Sequence, residues 1–308
     1  MSSKPRNNGF PWINPVGGLG DALMLSGVLK QVVDREPEGR YNLVTRTTYL
    51  SFLEGHPALA YIGHPPADAA IIGTNYWSHP EYEQGTLRPY QILAQTFGLP
   101  LPVEEKLYLP GDLPDDRLLY DLIPWGDKNV LIAPTSASPR KEMDFSLWHR
   151  LVDFLLPAGV FVAQVGRFKE QQVRNAYSLR GLTTPRQLIA LLKRFDVVIT
   201  VDNFVMHAAH LAGTAAVALW GPTRHQTYGY PEQTHLQAPR TCGPEEPCIG
   251  PRTAHLYITP CALGPDQCLN KIGPKVIAAA VLDLLGGMVS RTNKKVVDLT
   301  AKRQRGKR

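Results

Sequence analysis

Two kinds of hydrophobic pattern alternate along the chain. Short, nearly continuous apolar runs occur at residues 10–15, 41–45 and 69–72, the length and character of strands. Between them, residues 21–33 place Leu23, Leu25, Val28, Leu29, Val32 and Val33 at the spacing of one helical face. Residues 48–54 predict a short helix, and residues 89–97 another before the break Gly98-Leu-Pro-Leu-Pro102. A second series follows, with strands at 129–133, 160–165, 197–201 and 215–219 alternating with helices at 146–156, 184–194 and 205–212. A last helix, 274–285, stops at Gly286-Gly287. Apolar strands interleaved with amphipathic helices predict an α/β fold whose parallel sheets are covered on both faces. The Pro- and Asp-rich stretch 109–125 separates the series. The expectation is two doubly wound domains, 1–118 and 119–290, hinged near 110–128 and followed by a tail, 291–308.

Length agrees: 308 residues correspond to about two domains of usual size. With 44% apolar and 19% charged residues, disorder is excluded for most of the chain. The longest apolar runs, such as 276–282, are too short to cross a bilayer, and MSSKPRNNGF lacks the apolar centre of a signal peptide, so the expected location is cytoplasmic. A net charge of +6 first points to nucleic acid, but it is unevenly placed. Residues 291–308 hold eight Lys/Arg against one Asp, leaving 25 basic and 26 acidic side chains in the body. The tail is therefore the only polyanion-seeking segment. It could touch anionic lipid at the inner face of the membrane, a polyanionic substrate or nucleic acid, or stay solvated.

Candidate chemistry falls at strand ends. Gly17, Gly18 and Gly20 separate the first strand from the first helix, where missing side chains let a ligand approach the backbone. A dinucleotide fingerprint needs glycines at relative positions one, three and six; counted from Gly18, the sixth is Leu23, so nicotinamide binding fails on spacing. What remains is a turn that presents Asp21 in the first helical turn, either as a cap or as a ligand-facing carboxylate. Further on, Asp202-Asn-Phe-Val-Met-His207 follows one strand and Trp220-Gly-Pro-Thr223 the next. Together Asp202, Asn203, His207, Thr223 and the adjacent amides suit a diphosphate and its sugar. Capping, core packing and turn formation explain each residue singly; the arrangement favours the binding site.

GGLGD near the start, the stretch from Ala137 to Trp148, and the strand–Asp–helix–strand–Gly-Pro-Thr order resemble glycosyltransferase family nine, best known for lipopolysaccharide heptosyltransferases. The likeness covers about residues 10–285. It implies a GT-B fold, two Rossmann-like domains facing a central cleft. It also implies an inverting transfer of a heptose-like sugar or a hexose from a nucleoside-diphosphate sugar to a hydroxyl acceptor, a bacterial surface glycan before protein or nucleic acid. By matching position, Asp21 takes the place of the catalytic base, Lys141 faces the donor phosphates, and Ser136 lies beside it. Asp202, Asn203 and His207 form the donor loop, Gly221, Pro222 and Thr223 the turn beside it, and Glu170 an acid holding the nucleoside. The resemblance further implies that helix 274–285 packs back on the first domain. One residue departs: Phe204 replaces a glycine, and a phenyl ring there would obstruct the diphosphate or force another pose. That departure supports an alternative, a catalytically impaired or non-enzymatic binding protein for nucleic acid or another polyanion.

Cys242, Cys248, Cys261 and Cys268 fall in one stretch. Four thiolates can close a structural zinc or iron site, although this spacing is looser than a zinc ribbon; four reduced thiols are the other reading. No cofactor is expected for catalysis. For the acceptor, the first domain offers His79, Glu81, Tyr82 and Arg88 in one loop.

Overall fold

The computed structural model describes residues 8–239, 242, 248–249 and 257–287. In the front half the elements run β1 (Trp12–Asn14), α1 (Leu19–Arg35), β2 (Tyr41–Val44), α2 (Thr47–Leu53), β3 (Leu59–Gly63), β4 (Ile71–Gly73), α3 (Pro80–Gln84) and α4 (Pro89–Thr96). After α5 (Arg117–Leu122) come β5 (Lys128–Ala133), α6 (Phe145–Leu155), β6 (Val160–Gln164), β7 (Tyr177–Ser178) and α7 (Pro185–Leu192). They are followed by β8 (Val197–Val201), α8 (Phe204–Ala212), β9 (Ala215–Trp220), α9 (His225–Tyr228), β10 (Thr234–Gln237) and a helix over 274–287, α10.

The front sheet has the order β3-β2-β1-β4 and the back sheet β10-β9-β8-β5-β6-β7, with every pairing parallel. In each sheet the chain moves outward from its first strand and then returns to that strand's other side. The reversal leaves a crevice beyond the strand ends, between β1 and β4 in front and between β5 and β8 behind. Asp21 follows β1 and Tyr76 follows β4; Ser136 follows β5 and Asp202 follows β8. The two crevices thus supply the residues of one cleft.

Central strands are the apolar runs. All five residues of β8 are buried, and so is β5 from Val130 to Ala133. A β-branched run with no polar alternation fits a strand covered on both faces. Helix α7 is set by Thr184, whose hydroxyl accepts the Gln187 N–H while Gln187 returns to the Thr184 N–H, with Pro185 in the first turn. One core continues across the domains, joining Leu23, Phe52 and Leu93 in front to Leu131, Leu188 and Ala208 behind. A second lies on the outer face of the back sheet, where Ile277, Val281 and Leu285 of α10 pack with Trp148, Leu151 and Leu155 of α6. Helix α10 therefore covers the back domain, contrary to the expected return to the first. Its apolar stripe joins α6 in the same cluster as Ile132, Ile199 and Val217 of the back sheet.

The domains are also joined by polar and close contacts. The Arg186 guanidinium donates to the carbonyls of Pro110 at 2.9 Å and Asp112 at 2.7 Å, pinning the connecting segment to α7. Arg88 donates to the Gly229 carbonyl at 2.6 Å, and the hydroxyls of Tyr82 and Tyr228 meet between α3 and α9. Among the described residues, no helix is long and apolar enough to cross a membrane.

Candidate active site

A cavity of about 1100 Å³ lies between the sheets' carboxyl ends. Its front wall includes Gly18, Gly20 and Asp21. Its back wall includes Ser136, Lys141, Glu170, Asp202, Asn203, His207 and Thr223. The structure thus brings nearly all the sequence-expected residues to one space.

Asp21 occupies the third position of α1, and its carboxylate folds back to accept the Gly18 N–H at 2.6 Å. The capping role is real, yet it uses one oxygen. The other accepts the Tyr76 hydroxyl at 2.9 Å. Burial raises the Asp21 pKa above the ordinary carboxylate value, while the Gly18 and Tyr76 bonds and the Lys141 charge oppose that rise. Gly17 has φ +103°, and a Cβ there would lie 2.3 Å from the Asp21 carboxylate. The first glycine of the turn makes room for the acid.

Behind, Lys141 Nζ lies 3.3 Å from Asp202 Oδ2, both side chains nearly buried, and Thr223 Oγ1 donates to the same Asp202 oxygen at 2.6 Å. Burial pulls the Lys141 pKa down, but Asp202, Tyr257 and Asp21 outweigh it and hold the ammonium above its usual value. Lys141 also lies 5.5 Å from the centre of the Tyr257 ring. Ser136 Oγ donates to the Asp202 carbonyl at 3.2 Å, tying the ends of β5 and β8. The cavity thus holds a fixed cation opposite a partly desolvated carboxylate, close enough for each to stabilise the other's charge.

Other residues expected to bind the donor also make contacts within the protein frame. Asn203 Oδ1 accepts the Val205 N–H at 2.7 Å and the Thr200 hydroxyl at 2.8 Å, while its amide donates to the Thr135 carbonyl at 2.8 Å. Asn203 caps α8 and clasps β5 to β8, so its side chain is satisfied within the protein. Glu170 accepts from Thr135 Oγ1 and, at 2.8 Å, from Arg167 Nε. Burial lowers the His207 pKa to about 4, leaving a neutral ring at pH 7; its Nδ1 pairs with the Tyr230 hydroxyl at 2.8 Å. A Cβ on Gly20 would stand 2.6 Å from His207 Cδ2, so Gly20 lets α1 approach α8. Gly221 and Pro222 are buried behind the cavity, and a Cβ on Gly221 would meet Cys268 Sγ at 3.2 Å. The Phe204 ring stacks on Phe52, centroids 5.5 Å apart and planes at 29°, forming wall where the domains meet.

The family model of glycosyltransferase family 9 (heptosyltransferase) matches residues 74–248, more than half of the chain. The chain belongs to glycosyltransferase family 9. As a family-9 glycosyltransferase it resembles the iron-containing dodecameric glycosyltransferase TibC of enterotoxigenic Escherichia coli H10407, at 15% identity and TM-score 0.68 over 91% of this chain and 77% of that one. It also resembles the E. coli ADP-heptose lipopolysaccharide heptosyltransferase II, at 12% identity and TM-score 0.61 over 91% and 99% of the two chains. A family-9 glycosyltransferase from Veillonella parvula DSM 2008 gives 13% identity and TM-score 0.60 over 90% and 97%. No curated protein matches by sequence. The GT-B architecture of two parallel-sheet domains stands with these neighbours.

The glycosyltransferase's cysteines do not fit the expected zinc or iron. Cys242 is exposed, Cys248 and Cys261 are half-buried, Cys268 is buried, and all are free. Among the described residues no group of three or more His, Cys, Asp or Glu could hold a metal ion. Burial pushes the Cys268 thiol up to about 11 and raises Cys248, and the neighbouring thiols add to both. The basic tail lies outside the described residues. Pattern reading missed Tyr76, Trp77 and Tyr228, which line the cavity from irregular or one-turn segments. Tyr82, named among the loop's polar residues, joins them there; Arg88, from the same loop, is paired with Glu105 at 2.9 Å.

Proposed function

We propose that this glycosyltransferase moves a sugar from a nucleoside-diphosphate donor to an acceptor hydroxyl with inversion, Asp21 serving as general base. The observation carrying this reading is the placement of Asp21 and Lys141 in one cavity, each stabilising the other's charge. The acceptor oxygen attacks the anomeric carbon as the bond from that carbon to the diphosphate oxygen breaks; the hydroxyl proton passes to Asp21. A carboxylate raised by burial is a better base than one in water, and the Gly18 and Tyr76 bonds fix its direction. Negative charge growing on the diphosphate falls to Lys141 and the first amides of α8. Asp202, itself held by the Thr223 hydroxyl, fixes the lysine's head, so the cation is in place before the donor arrives.

Two neighbours support a heptose donor: TibC was solved with ADP-D-β-D-heptose and the E. coli heptosyltransferase WaaC with ADP-2-deoxy-2-fluoro heptose. ADP-heptose is therefore the first donor to test, within a panel of nucleoside-diphosphate sugars. One donor is expected to raise the melting temperature, with the shift lost in Lys141→Ala. Transfer should give the anomer opposite to the donor's, read by NMR of the product. No stabilisation by any donor and no transfer would overturn the assignment.

A further inference from the structure

We propose that the acceptor is an uncharged sugar residue whose ring lies against Trp77, with its reacting hydroxyl directed to Asp21. This rests on the transferase reading above and adds the class of acceptor. Among the described residues, the front-domain wall contributes Leu19, Met24, Thr48, Tyr76, Trp77 and Tyr82, with no lysine or arginine. The lining cations, Lys141 and Arg167, both come from the back domain, and each already has a carboxylate partner, Asp202 at 3.3 Å and Glu170 at 2.8 Å. Arg46, at the start of α2, is exposed and stands outside the lining.

Charge and shape then point the same way. Burial already disfavours the Asp21 anion. An acceptor phosphate or carboxylate beside it would bring a second negative charge into the same desolvated space, with no front-wall cation to balance it. Tyr76 and Trp77 meet edge to face at 4.8 Å, and Tyr76 and Tyr82 at 5.5 Å, a continuous aromatic wall. Such a wall offers flat apolar area with hydroxyl handles, which suits the C–H face and the polar rim of a neutral pyranose. A cavity of about 1100 Å³ exceeds the usual 300–1,000 Å³ of a one-ligand pocket and leaves room for both substrates.

The test compares methyl pyranosides with their 6-phosphates and the corresponding uronic acids, using the donor that stabilises the protein. The neutral glycoside is expected to have a kcat/KM about tenfold or more above its charged counterparts. Trp77→Ala should raise the acceptor KM about tenfold while leaving the donor KM within about twofold, and Trp77→Phe should restore most of the loss. Equal or better use of a charged acceptor, transfer to a hydroxyl peptide in place of any glycoside, or an unchanged acceptor KM in Trp77→Ala overturns the proposal. Donor-induced stabilisation and acceptor-free donor hydrolysis separate the two levels. If both are absent, the transferase reading falls and this proposal with it; if either is present and charged acceptors are preferred, only the acceptor class is wrong.

Discussion

Tyr76→Phe tests the aim and basicity of Asp21 with the loss of one oxygen. Tyr76 is buried, and its hydroxyl donates a hydrogen bond to the carboxylate, at 2.9 Å. A hydrogen bond to an ionised group contributes about 1.5–3 kcal/mol. Substrate or water entering the gap replaces part of this, so about 1.4 kcal/mol remains, equivalent to about one pKa unit. The bond favours the anion, and its removal therefore raises the Asp21 pKa further above the carboxylate range. In a profile of kcat/KM against pH, which reports the free enzyme, the acidic limb should move up by about one unit. Donor KM should hold, because Tyr76 touches the acid and not the Lys141 side. Folding carries the same sign. A carboxyl whose folded pKa is raised contributes stability below its unfolded pKa and loses it as pH rises through the folded value, so the variant should lose this stability over a window extending to higher pH. An acidic limb that stays put or moves down would refute the claim that Tyr76 holds the catalytic anion.

Three further outcomes follow from contacts between the domains. Gly20→Ala would drive a methyl to 2.6 Å from a His207 ring already fixed by Tyr230; overpacking of about 1–3 kcal/mol should exceed the helix-propensity gain of about 1 kcal/mol, read as a lower denaturant midpoint at unchanged slope. Phe204→Gly removes the stack on Phe52 and should lower stability by about 1–3 kcal/mol without tightening donor binding; a lower donor KM would show that the ring obstructs the diphosphate after all. His207 has a folded pKa of about 4, so the unfolded imidazole binds a proton first as pH falls below about 6.5, and stability present at pH 7 should be lost progressively through pH 4; His207→Gln should flatten this part of a melting-temperature series.

Physical reasons separate what pattern reading found from what it missed. The central strands β5, β8 and β9 are legible because burial on both faces requires unbroken apolar runs. Edge strands obey no such rule. β10 reads Thr-His-Leu-Gln with no buried residue, and β7 is two residues long, so neither leaves a periodic trace. The one-turn helix α3 begins at a proline and ends at Gly85 in the left-handed region, a sequence equally at home in a turn. The site divides similarly. Asp21 and Asp202 could be placed because they follow strand ends, and Lys141 came with the family resemblance, whereas Tyr76, Trp77 and Tyr228 reach the cavity through tertiary packing. Asn203 and His207 were placed at the cavity, but their bonds to Thr135 and Tyr230 were not legible, since spacing gives location and not hydrogen-bond partners.

The glycine segment before Asp21 shows why location and role come apart. Its glycines suggested a backbone open to a ligand, yet the space left by Gly17 is filled by the Asp21 carboxylate, and the space left by Gly20 by His207. Gly18 gives its N–H to the same carboxylate. A dinucleotide spacing is unnecessary because these positions answer to an acid and to a neighbouring helix. Gly17 lets the acid fold back without a clash, and Gly20 brings α1 against α8, the helix that begins two residues after Asp202. Asp202 in turn fixes Lys141. The aim of Asp21 and its separation from Lys141 are consequently set by one turn, and a side chain at Gly20 disturbs both.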